Sequence, residues 1–238
     1  MTFNTFFSPQ RIAIIILALA VFVFIGSAGY RWYSIRSTTF LSGAPPADLM
    51  DSIEPKYVSP ERMKSPAITN TDIFLAGSPT SSIGIVFYAD YTNPDSNKLL
   101  KQIIQRVSTY NGEIRVILRY LPETTKNRNP SFEAVVLSEC SRIMDPNWSA
   151  HESLLAIDKE NTKISTIEQI SFDYSDTDGM IYGCRNDSSL RNRLTQDIQQ
   201  ARGDGILAAP FVFAGTKALP ADQANLENIF QAINTYMQ

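Results

Sequence analysis

The chain has 238 residues, with 21 Lys and Arg against 24 Asp and Glu, a net charge of −3 and 44% hydrophobic residues. That length holds one domain of ordinary size plus further sequence, and the apolar content excludes disorder throughout. The missing basic excess argues against nucleic acid as a partner, and two cysteines with a single histidine, His151, exclude zinc sites of four cysteines or of two cysteines and two histidines.

The densest apolar block, Ile12 to Tyr30, carries no charge and lies between Arg11 and Arg31-Trp32-Tyr33. It is long enough to span a bilayer, and Trp32-Tyr33 sits where interfacial aromatics belong. A cleaved signal peptide is the alternative, with Ile12 to Ile25 as its apolar region and Gly26-Ser27-Ala28 as a small-residue cleavage site. Flanking charge does not decide the orientation, because Arg11 precedes the segment while Arg31 and Arg36 follow it. From Ser37 to about Ser82, six prolines among Ser, Thr and Ala without a helical period read as a spacer. A loop-rich outer part of the domain is the alternative there, because Ile73-Phe74-Leu75 can form a short edge strand.

Ile83 to Tyr88 is a nearly continuous apolar run, as in a strand covered on both faces. Asn97 to Tyr110 then sets Leu99, Leu100, Ile103, Ile104 and Val107 on one side of a helix, and Ile114 to Leu121 is a second strand. Strand, helix, strand makes a βαβ unit with a parallel pair. Helices are predicted over Ser131 to Met144, around Trp148 to Ile157, over Ser175 to Cys184 and over Asp187 to Arg202. Phe211-Val212-Phe213 reads as a short strand, and Asp222 to Met237 as a closing amphipathic helix.

This order, with Val86-Phe87-Tyr88-Ala89-Asp90-Tyr91 leading into the first helix, Ser138-Glu139-Cys140, Trp148-Ser149-Ala150-His151 and Gly205 to Phe213, resembles the DsbA-like branch of the thioredoxin superfamily. The resemblance runs from about Asp72 to the C-terminus. It implies an α/β thioredoxin-like fold with a helical insertion, here preceded by a transmembrane helix. The organisation expected is a cytoplasmic 1–11, an anchor or signal peptide at 12–30, a Pro-rich spacer at 31–71 and the domain at 72–238.

Where that family carries Cys-Pro-x-Cys, this chain reads Asn93-Pro94-Asp95-Ser96. Thiol exchange needs an attacking thiolate and a resolving thiol, and neither Asn93 nor Ser96 supplies one. The replacement makes sense structurally, since Asn is a favoured N-cap, Pro suits the first helical position and Asp complements the helix dipole. Thiol-cofactor enzymes of the same superfamily hold their thiol with a Ser in place of the first cysteine, a position that is Asn93 here. A hydrolytic Ser96 would need a base, and the resemblance makes His151 a packing residue. Ala209-Pro210 falls where the family has a cis-proline loop, so that Tyr91, Asn93 and Ala209 would bound a groove able to hold an extended peptide; a vestigial groove is the alternative.

Cys140 shares a helical face with Phe132, Val136 and Ile143, which by itself reads as a buried thiol. The resemblance implies instead a non-catalytic disulfide between Cys140 and Cys184. No cofactor and no metal are expected. The function expected is that of a single-pass membrane protein, or a secreted one if the segment is cleaved, whose extracytoplasmic domain binds a protein or peptide without redox chemistry. The alternative is a thiol-disulfide oxidoreductase or a glutathione-dependent enzyme.

Overall fold

A computed structural model of the chain describes residues 58–145, 148–174 and 180–238, all within a unit running from Ala47 to Gln238. The apolar block at 12–30 and the spacer as far as residue 57 lie outside the described residues. Among those described, no helix is long and apolar enough to cross a membrane.

Five strands, β1 (Ile73–Gly77), β2 (Ile83–Ala89), β3 (Ile114–Tyr120), β4 (Phe211–Ala214) and β5 (Lys217–Leu219), form one sheet in the order β1-β3-β2-β4-β5. The βαβ rule holds at its centre. β2 and β3 are parallel, in register from Ile83 opposite Ile114 to Ala89 opposite Tyr120, and the other pairs are antiparallel. From Gly84 to Ala89 every residue of β2 is buried, as expected of a strand with neighbours on both edges and cover on both faces. At the end of β1, Gly77 has φ +87° and a Cβ there would lie 1.9 Å from the Ile114 carbonyl oxygen, so no other residue fits.

Helix α1 (Pro94–Val107) connects β2 to β3 and buries Leu99, Leu100, Ile103 and Val107. The last helix, α7 (Leu226–Tyr236), buries Ile229, Phe230 and Ile233, and its Phe230 ring stacks on Tyr110, in the 3-10 turn that follows α1, with centroids 5.3 Å apart. It starts at Leu226, later than its apolar pattern suggests, because Asn225 accepts from the Asn228 amide and caps it there. Between β3 and β4 lies the helical insertion: α2 (Pro130–Met144), α3 (Ser149–Leu155), α4 (Ile164–Asp173), α5 (Met180–Arg185) and α6 (Ser188–Gly203). Helix α4 and strand β5 have no counterpart in the periodicity reading. Lys163, the residue before α4, makes no side-chain cap, and β5 is only three residues long. The described helix within the stretch predicted at 175–184 begins at Met180.

Residues 58–71 do not behave as a spacer. Gly84 leaves room for Ile68, and Gly205 leaves room for Val58 and Met63. Arg119 on β3 reaches the same segment, donating to both carboxylate oxygens of Asp72 at 2.7 and 2.9 Å and to the Ala67 carbonyl at 2.8 Å. Tyr88, Arg119 and Phe213 share one face of the sheet with Gly84, since residues two apart on a strand point the same way. The segment therefore straps that face, and the domain begins earlier than Asp72.

Candidate functional site

The site forms where β2 ends. Asp90, nearly buried, accepts hydrogen bonds from the Thr92 amide and hydroxyl with one oxygen, and from the Glu123 amide and Ser131 hydroxyl with the other. It thereby ties the loop after β2 to the loop after β3 and sets where α1 can start.

Asn93 caps α1. Its Oδ1 accepts from the amides of Asp95 at 3.0 Å and Ser96 at 3.2 Å, which satisfies two N–H groups that a helix start leaves unpaired. With that end of the amide committed, Nδ2 faces outward and donates to the Ala209 carbonyl at 2.9 Å. The donor and acceptor partners fix the amide orientation without ambiguity. The Ala209–Pro210 peptide bond is cis. Pro94 takes the first helical position, Asp95 stands exposed in the first turn, and Ser96 points inward. Ser96 is 0% exposed, and its Oγ accepts from the Asp90 amide at 3.3 Å. The hydroxyl is enclosed, and its oxygen is engaged by a backbone amide, not by a base.

Behind the loop lies a buried polar chain. The fully buried Tyr91 hydroxyl is 2.8 Å from Ser138 Oγ and 2.7 Å from His151 Nδ1, and Tyr120 Oη lies 3.2 Å from the same Ser138 oxygen. Trp148 donates its indole N–H to the Ser138 carbonyl and stacks on the His151 ring at 4.0 Å. Burial, with the Lys101 charge as a second contribution, pushes His151 down to about 4, so the imidazole is neutral at pH 7. Burial raises Tyr91 well above its ordinary value, with Tyr120 adding to the effect. Both groups are thus held in their neutral forms, which suits a structural network and gives no proton donor or acceptor poised near neutrality. Among the described residues no cluster of three or more His, Cys, Asp or Glu side chains is placed to hold a metal ion.

The two cysteines lie in the helical insertion. Cys140 of α2 and Cys184 of α5 are joined in a disulfide with Cα atoms 5.8 Å apart. Helix α2 is buried on all sides from Ser131 to Ser141, which places two carboxylates indoors. Glu133 is met by Arg191 and Arg185, and Glu139 by Arg142 and Arg193. Burial alone would raise both carboxyls, but the arginine hydrogen bonds outweigh it and hold them below the usual range.

The structure thus joins Asn93 to Ala209, next to Pro210, while Tyr91 does not border that groove as expected: its side chain is fully buried and turns inward to Ser138 and His151, because its hydroxyl finds its hydrogen bonds there. Sequence reasoning did not single out Asn97, which donates to the Tyr91 carbonyl at 2.8 Å and so holds the loop from beneath, nor Leu207, which is 43% exposed. Asn97 follows directly on the capping motif and carried no separate signal, and the exposure of Leu207, two residues before Ala209, is decided only by the fold. Two surface hollows of about 300 and 310 Å³ lie elsewhere, one between Lys217 and Tyr236 and one between Met63 and Phe213.

No family model matches the sequence, and no curated protein matches it. Solved structures do. A thioredoxin-like oxidoreductase from Silicibacter pomeroyi superposes with a TM-score of 0.59 at 14% identity, over 71% of this chain and 94% of that one. The alpha-DsbA1 of Wolbachia pipientis does so with a TM-score of 0.56 at 16% identity, over 71% and 92% of the two chains. DsbA2 of Pseudomonas aeruginosa gives a TM-score of 0.56 at 16% identity, over 72% and 97%. The likeness is one of fold: a thioredoxin sheet with a helical insertion.

Proposed function

We propose that this chain, built on the DsbA-like thioredoxin fold, holds an extended polypeptide segment in the groove between the start of α1 and the Ala209–Pro210 loop, and does so without thiol chemistry. It works as a binding or assembly factor of chaperone type. One observation carries the reading: at the helix start, where exchange would need a sulfur, both ends of the Asn93 amide are spent on backbone groups. Fold alone does not confer activity, and the scaffold's redox function needs a thiolate. What remains is a part-exposed stretch of main chain ahead of β4, the arrangement that strand-type peptide recognition uses. We further propose that residues 12–30 retain the domain at the membrane, outside the cytoplasm. Their apolar length and a cysteine pair suited to an oxidising compartment support this.

The test has two arms. The chain should neither oxidise reduced, unfolded substrates nor reduce insulin, and it should bind reduced, carboxymethylated lactalbumin, which is unfolded and carries no thiol, saturably and more weakly after Leu207→Asp. Turnover that disappears with Cys140→Ser or Cys184→Ser would replace this reading by exchange through that pair. Failure to bind the unfolded probe would remove it.

A further inference from the structure

The loop that would meet a peptide is already half occupied by the protein itself. Paired residues of two strands use both backbone groups, an N–H that donates and a C=O that accepts. The Ala209 carbonyl accepts from Asn93 Nδ2 at 2.9 Å, while the Ala209 N–H has no partner among the described residues. Ladder pairing of β4 with β2 stops at Phe211 opposite Tyr88, so Ala209 lies beyond the sheet's own hydrogen bonds, with Leu207 and Ala208 exposed before it. Asn93 cannot simply turn away, because its Oδ1 is held by two helix-start amides.

We propose that Asn93 is an internal latch on this groove: its amide imitates the peptide N–H that would otherwise reach the Ala209 carbonyl, and it sets how tightly the groove takes a polypeptide backbone. The inference rests on the binding reading above and deepens it. A carbonyl oxygen has two lone pairs, so the latch competes with the incoming N–H and weakens its bond without forbidding it. The groove therefore holds extended chains loosely and releases them, as a handler of unfolded segments must.

The test uses the whole chain and the same carboxymethylated lactalbumin. Asn93→Ser and Asn93→Asp both keep a good N-cap oxygen and delete the Nδ2 amide donor, Asp leaving no donor and Ser only the hydroxyl of a shorter side chain. Freeing one part-exposed hydrogen-bond acceptor should tighten binding about 2- to 10-fold in each variant. Far-UV circular dichroism and the urea midpoint confirm that each variant is folded as the parent is. A cap lost without a latch would lower the midpoint and leave affinity unchanged. Parent binding with no gain, or with a loss, in both variants overturns the latch and leaves the binding reading standing. No binding by parent or variants removes the binding reading, and the latch with it.

Discussion

The only histidine in the chain makes a single-site test of the buried network. His151 sits in α3, 4% exposed, stacked on Trp148 and hydrogen-bonded through Nδ1 to the Tyr91 hydroxyl. Burial first and Lys101 second take it from 6.5 down to about 4. Because the folded value lies below the unfolded one, the unfolded chain takes up the proton first as pH falls. The stabilisation is complete above pH 6.5 and drains away until pH passes about 4. The whole effect is about 3 kcal/mol, of which about 2 kcal/mol falls between pH 7 and pH 5. Burial would raise Asp72, Glu133 and Glu139, but their hydrogen bonds and the arginine charges together outweigh it and hold them low, so their losses start at the ordinary carboxyl range and run below it. Asp197, raised by burial, acts in the opposite sense, and the imidazole's share is the fall that His151→Asn removes. Urea unfolding of residues 47–238, followed by far-UV circular dichroism at pH 7, 6 and 5, should show that fall. His151→Asn should start less stable and lose that fall across the same range. A parent protein equally stable at pH 7 and 5, an unchanged slope in the variant, or an imidazole that titrates by NMR near 6.5 would refute the reasoning.

Tyr91→Phe leaves the Ser138 hydroxyl and His151 Nδ1 without the group they share, and it should cost about 1 to 3 kcal/mol in the same urea experiment. Its effect should be less than additive with His151→Asn, since one hydrogen bond is removed by both. Replacing Cys140 and Cys184 by Ser opens a loop with a sequence separation of 44 and should cost about 4 kcal/mol on the chain-entropy account. Unreduced protein taken from cells and alkylated should carry no added label. Two labels would contradict both the bridge and the export of the domain.

Some of this protein was legible one residue at a time. The cap at Asn93-Pro94-Asp95 is local: a side-chain oxygen, a ring without an N–H and a carboxylate act on amides within three positions, and the structure uses Asn93 and Pro94 as the sequence suggests. The uninterrupted apolar run of β2 and the stripe of α1 likewise express the strand and helix periods, and they suffice for the βαβ core. Other features depended on closure of the fold. Glu133 and Glu139 carry charges that an isolated helix would leave in water, and they are indoors because α3 to α6 surround α2 and bring arginines from α5 and α6, as well as Arg142, to meet them. The 58–71 stretch has no period of its own, yet it straps the sheet because Gly84 and Gly205 leave space and Arg119 supplies an anchor. Asn93 and Ala209 are 116 positions apart, Tyr91 and His151 60 apart. No local rule joins such pairs. Their hydrogen bonds exist only after the sheet has set the end of β2 beside the start of β4 and the insertion has folded over Tyr91, so the caps and core periods belong to the sequence, while the occupied groove and the buried network belong to the tertiary structure.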